Sequence, residues 1–415
     1  MPPATVSDHI SLTSAVEDAR RLQISAFIPK LLGLVFTLGI LASYFWGGPL
    51  WWFLAIAAAC LVLGRMVEHG SPIGALVLAL ASTVFGLTGL IGAVKEAWTW
   101  TNLGVIPVAL VPAVICWRAV PGAFRLRTRF KHNRPLAAGH RAWRVPWDRR
   151  ILQTIAPAAG CAICFCLGMV AMLFGAVIAR GLGGGFALRP FSRLANQQYR
   201  KILQVLSYRA QEVRAQDRRP PVLFFRSFMD EDLTLQRRLG LFIGILQIAR
   251  TLEEVVVDRM WSVGPVIAIG RPAAELSPLG AAREYVHGPG WQSRVTALLD
   301  QCALAVSVLG ETEGLLWEYR RLAAKLTPLL LVVPHGDAQV LLHRWKSFCD
   351  AFPAAASISV SAGRGSDFPL IVWFRPRREP VVLTCKYQNE LSYELAFDDV
   401  LFCRDLRRHV VHTEI

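Results

Sequence analysis

Three polar clusters in the second half of the chain could do chemistry, because each follows an apolar run of strand-forming residues. Arg226-Ser227, with the acidic turn Asp230-Glu231-Asp232, follows Val222–Phe225. Arg271 opens a long loop, residues 271–290, after residues 266–269. The segment 310–318, ending in Trp317-Glu318, follows residues 303–309. In sheets built from such runs, ligands gather beyond the strand C-termini. The acidic turn reads either as a cation site or as a solvated turn before a helix. Glu311 and Glu313 either cap a helix beside Thr312 or act as ligands. His287 and Trp291 would line a pocket mouth, or sit in a loop that tolerates both. No Gly-x-x-x-x-Gly-Lys occurs, so residues 310–314 are not a phosphate loop. Of nine cysteines, Cys161, Cys164 and Cys166 lie in an apolar stretch without a His or carboxylate, and read as small apolar residues. Cys302, Cys349, Cys385 and Cys403 form no C-x-x-C pair, so neither a zinc site nor a disulfide framework is expected.

The elements that must position these residues follow from the pattern. Residues 195–218 form a basic helix that Pro220-Pro221 stops. Val222–Phe225 is a strand, and residues 233–258 carry apolar side chains at three- and four-residue steps, predicting a helix. Further strands are expected at 266–269, 303–309 and 329–333, with helices at 291–302 and 315–326. This alternation predicts a parallel sheet with right-handed crossovers, buried on both faces. The tail, 336–415, reads as a helix at 340–351, strands near 357–361, 370–374 and 380–385, and a helix at 387–410. It would extend or cap the same sheet.

Composition adds a different expectation for the first half. The chain has 415 residues, 53% hydrophobic and 18% charged, against about 25% charged for an ordinary soluble domain; its mean hydropathy is +0.39. Residues 1–184 hold 16 Lys+Arg and 6 Asp+Glu, residues 185–415 hold 29 and 24. Apolar stretches at 26–46, 50–64, 72–94, 102–117 and 154–179 predict a multi-span α-helical membrane region of four or five spans over 26–184. Residues 1–25 would be a cytoplasmic tail, 118–150 a basic loop against anionic headgroups rather than RNA, and 185–220 a juxtamembrane helical linker. The expectation is a multi-pass inner-membrane protein in contact with the lipid bilayer, its soluble domain cytoplasmic and no specific nucleic acid bound. Both flanks of the fifth stretch are basic, which leaves the number of crossings open.

The order of elements over 221–335 resembles a TIR (Toll/interleukin-1 receptor-like) domain, a flavodoxin-like α/β fold. VLFFRSFMDED at 222–232 resembles the TIR first strand and its Ser-x-x-Asp turn. Residues 266–270 and the loop after them resemble the second strand and BB loop. The strand at 303–309 with Trp317-Glu318 resembles the third strand and the helix bearing a Trp and a Glu, and 329–334 resembles the fourth strand with its terminal proline. The resemblance extends to bacterial membrane-anchored TIR-like effectors of antiviral defence. Many bacterial TIR domains hydrolyse NAD at the nicotinamide–ribose bond with one Glu on that helix, so it implies Glu318 as the catalytic carboxylate. It implies Arg226, Ser227, Asp230, Arg271 and Trp317 around the substrate, with NAD consumed rather than held as cofactor and no metal. It also implies a homo-oligomer through this domain. The alternatives are a non-enzymatic interaction or nucleotide-sensing module, with Glu318 pairing at the surface with Arg320 or Arg321. Glu318 directly follows Trp317, which turns the two side chains about 100° apart.

Overall fold

The structure is a computed structural model. It describes residues 8–25, 75, 77, 114, 116–118, 120, 121, 124, 125, 194, 197, 198, 200, 210–227, 233–235, 250–270, 280–286, 290–358, 367–376 and 378–403. The chain divides into two compact units, Met1–Thr13 with Ala138–Ile415, and Ser14–Ala137. In the second unit the helical residues 14–25 bury Val16, Ala19 and Leu22. There Arg125 donates from Nε and Nη2 to the two oxygens of the buried Asp18, at 2.7 and 2.6 Å.

The multi-span membrane architecture, and with it the multi-pass inner-membrane location, is overturned. Among the described residues no helix is long and apolar enough to cross a membrane. The longest helix with both ends described has 14 residues, about 21 Å at 1.5 Å per residue, against roughly 30 Å of hydrocarbon. Apart from isolated helical positions such as Ala75 and Cys116, the five apolar stretches lie outside the described residues, as does most of the basic loop.

The first unit is built on an eight-stranded sheet. Its strands are β1 (Asp8–Ser11), β2 (Val222–Phe225), β3 (Val266–Gly270), β4 (Ala282–Tyr285), β5 (Leu304–Val308), β6 (Leu329–Val332), β7 (Phe368–Phe374) and β8 (Val381–Cys385). Its helices are α1 (Ala210–Gln216), α2 (Leu252–Met260), α3 (Trp291–Leu299), α4 (Glu313–Lys325), α5 (Ala338–Ala351) and α6 (Glu390–Asp398). The spatial order is β1-β8-β7-β6-β5-β2-β3-β4. Strands β2 to β6 are parallel, with Phe224 opposite Val306 and Ile267 opposite Ala282. All four residues of β2, all five of β5 and all four of β6 are buried, as continuous apolar runs in a doubly covered sheet must be. Aromatic packing ties the helices to one face: Tyr319 meets Phe348 edge-on at 4.7 Å, and Phe348 stacks on Phe352.

Five features depart from the sequence expectations. The sheet is mixed, because β7 pairs antiparallel with both β6 and β8; β7 and β8 are joined over residues 375–380, a connection too short for a parallel crossover. The helix expected over 233–258 is described only as α2. Thr251 caps it in a capping box with Glu254. Upstream of that cap, Leu233–Leu235 is extended and bridges back, Leu235 N donating to Arg250 O at 3.0 Å and Leu252 N to Leu233 O at 2.9 Å. The loop expected over 271–290 contains β4. Residues 1–25, expected to be a tail, contribute β1, which runs parallel to β8. The linker helix is not free either: Ala210 and Val213 of α1 are buried, Ala210 within the core.

The chain leaves β2 towards β3 on one side and later crosses to β5 on the other. That reversal opens a crevice between the C-terminal ends of β2 and β5, where ligands of open α/β sheets bind.

Candidate functional site

A cavity of about 440 Å³ occupies that crevice, a size within the range of small-ligand sites. Arg226 and Ser227 enter it directly from the end of β2, Gly270 from the end of β3, Arg283 from β4, Trp291 from the first turn of α3, and Glu318 from α4. Helix α4 buries Leu315, Tyr319 and Leu322 as its core stripe. At 100° per residue, Glu318 lies on the flank of that stripe, the same flank as Gly314, which also lines the cavity. Trp317 points elsewhere. It packs edge-on against Trp291 at 5.0 Å and carries the Arg321 guanidinium 5.8 Å from its ring centre. Tyr319 fixes the start of α4 to the end of β5: its hydroxyl donates to Val308 O at 3.1 Å and accepts from Gly310 N at 3.4 Å.

Glu318 is half-buried, and it faces the cavity. Among the described residues it has neither an ion pair nor a hydrogen bond, so the surface pairing with Arg320 or Arg321 is not formed. Burial without a compensating charge pushes its carboxyl from an ordinary 4.5 up to about 8.

Two arginines of a buried charge triad line the same cavity. Glu253 of α2 contacts Arg226 Nε through Oε2 at 2.9 Å and accepts from Arg283 Nη2 on Oε1. The three side chains are at most 4% exposed. Oε1 also accepts from Ala281 N at 2.9 Å. Gly280 makes this approach feasible. Its φ is +132°, and a Cβ there would fall 2.5 Å from the Glu253 side chain. Ser227 is buried beside the triad's arginine.

The structure thus brings Arg226, Ser227 and Glu318 to one cavity and leaves Trp317 outside its lining. Asp230 and Arg271 lie outside the described residues, as do Glu231, Asp232, His287 and the three clustered cysteines. Trp291 lines the cavity. Glu311 is exposed, 3.4 Å from the exposed His343. Sequence reasoning missed Glu253 and Arg283; the one signal for Arg283 was a single charge in the small-residue run Gly280-Ala281-Ala282-Arg283. Among the described residues no group of three His, Cys, Asp or Glu side chains could hold a metal ion. Compared with known proteins, the chain matches no family model, no curated protein and no solved structure.

Proposed function

We propose that the cavity binds a nucleotide and that this TIR-like domain hydrolyses NAD at the nicotinamide–ribose bond. The observation that carries the reading is Glu318: a carboxylate with no ion partner among the described residues, facing a switch-point cavity that Arg226 and Ser227 also line. Breaking the bond builds oxocarbenium character on the ribose, which an adjacent carboxylate stabilises electrostatically. Nicotinamide departs as a neutral base, so the leaving group needs no acid. Water adds to the ribose carbon and yields ADP-ribose, nicotinamide and one proton. Glu318 acts in its ionised form, holding the ribose hydroxyls and countering the developing positive charge. The test is chromatography of NAD incubated with the full chain and with Glu318→Gln. Release of nicotinamide and ADP-ribose by the first and not the second is expected; equal release by both removes Glu318 from the reaction.

One observation favours the nucleotide-sensing alternative. A carboxyl pushed to about 8 is mostly protonated at neutral pH, a state that donates a hydrogen bond to a ligand rather than stabilising a cation. Under this alternative the full chain binds NAD and leaves it intact up to pH 9.

A further inference from the structure

Between Trp291 and Glu318 the cavity wall carries a glycine. Gly314 is the second residue of α4, one turn before Glu318 and on the same flank, and all three residues line the cavity. Side chains at such i, i+4 positions start about 5–6 Å apart. Among the described residues, a Cβ at 314 would have one neighbour within 4 Å, Cη2 of Trp291 at 3.9 Å. The six-membered end of the indole thus lies beside position 314, and Gly314 puts no side chain between it and the start of Glu318. The helix does not require this glycine. Its backbone is not left-handed, and most other residues favour a helix more. Trp291 is also braced. Its ring packs edge-on against Trp317 at 5.0 Å, and Trp317 in turn carries the Arg321 guanidinium. Yet Trp291 is only partly buried. A braced indole that lines a cavity offers its π-surface to a flat ring.

We infer that Trp291, Gly314 and Glu318 form a slot for a flat heteroaromatic ring, with Trp291 as the stacking platform and Gly314 as the gap that admits the ring. The slot deepens the nucleotide reading and rests on it for the identity of the ligand. With the ribose held by Glu318, the ring one helical turn away is the nicotinamide attached to that ribose. In oxidised NAD this ring carries a positive charge, which the face of an indole attracts.

The experiment measures binding to the full chain by calorimetry, with two probes that differ at the ring. Carba-NAD, in which a methylene replaces the ribose ring oxygen, keeps the nicotinamide and resists cleavage; ADP-ribose lacks it. Carba-NAD is expected to bind at least about 5-fold more tightly than ADP-ribose. Trp291→Leu should weaken carba-NAD about 5- to 100-fold and change ADP-ribose by less than about 2-fold. Gly314→Leu fills the gap at a position where leucine favours the helix, and should do the same; it is the readout should Trp291→Leu not fold. Trp291→Phe keeps a stacking face and should restore most of the affinity. Carba-NAD should also quench part of the indole emission of the wild type, a part missing in Trp291→Phe although the chain has 13 tryptophans. Carba-NAD affinity untouched by both leucine variants, equal losses for the two probes, or binding without quenching overturns the slot. The two readings fail separately. NAD cleavage that needs Glu318 but is indifferent to Trp291 and Gly314 sinks the slot alone, whereas a preference for carba-NAD that needs Trp291, without NAD cleavage, sinks the hydrolase alone.

Discussion

Helix α2 takes part in two charge clusters, one beside the cavity and one against α6. On the cavity side, Glu253 serves two arginines. On the side facing α6, Arg250 and Arg259 meet an excess of acids. Arg250 lies 3.3 Å from Asp258 and 3.2 Å from Glu394, and Arg259 lies 3.1 Å from Glu394 and 3.0 Å from Asp398. Burial works against the charge on Arg259, but Asp398, Glu394 and Asp258 outweigh it and raise its pKa. The second cluster is redundant and belongs to the packing of α2 on α6. The first lies at the wall of the cavity, which Arg226 and Arg283 both line. Buried charge that is matched holds elements together, whereas ionisable groups gathered at a cavity mark a candidate site.

The comparison breaks first at Glu253. Glu253→Gln removes the carboxylate of the buried Arg283, for which the described residues supply no other, and should cost about 3–5 kcal/mol, read by chemical denaturation of the full chain. A loss below about 1 kcal/mol would show that the arginines are neutralised elsewhere. The matched cluster should respond less. In Glu394→Gln, Arg250 keeps Asp258 and Arg259 keeps Asp398, so about 1.5 kcal/mol is expected by the same measurement; a larger loss than that of Glu253→Gln would invert the assignment of roles. Tyr319→Phe removes the hydroxyl that joins the end of β5 to α4 and should cost about 1 kcal/mol. It should also raise the Kd for ADP-ribose, since α4 carries Glu318; unchanged binding would show that the helix is held by its apolar stripe alone.

The subtlest effect is on pH dependence. Glu318 binds its proton more tightly folded, at about 8, than unfolded, near 4.5. Its contribution to stability is fully present below about pH 4.5 and is lost as pH rises towards 8. Water in the cavity reduces the size of this effect. Under the proposed hydrolase reading catalysis runs the other way, because there the anion is the active form: NAD cleavage should rise with an inflection near pH 8. Glu318→Gln should flatten the stability slope between those values; an unchanged slope would place the titration on another group.

Much of the central sheet was legible in the sequence because β2, β3, β5 and β6 are continuous apolar runs bounded by proline or glycine. The cavity edge followed from those strands, which is why Arg226, Ser227 and the 310–318 segment stood out. Strand β4 was not legible: Ala282-Arg283-Glu284-Tyr285 has two charges in four residues, and only the fold shows Arg283 buried on Glu253, 30 residues away in sequence. The helix at 233–258 was read too long because its apolar spacing ignored the cap at Thr251. The membrane expectation rested on hydropathy and on the scarcity of charge in residues 1–184. It was corrected once no described helix proved long and apolar enough to cross a membrane.

Strand β1 sets the order in which the molecule is completed. It is synthesised first, yet its partner β8 lies far along the chain: Ile10 O accepts from Thr384 Oγ1, 374 residues later. Entropy alone does not forbid so long a closure, because its cost grows only with the logarithm of loop length. The delay is kinetic, since contacts of large sequence separation form slowly. Until β1 docks, β8 presents an unpaired edge of backbone donors and acceptors, open to another chain's strand. During synthesis β1 therefore has no partner until Val381–Cys385 has been made, so the earliest strand of the sheet cannot be placed before the latest one exists.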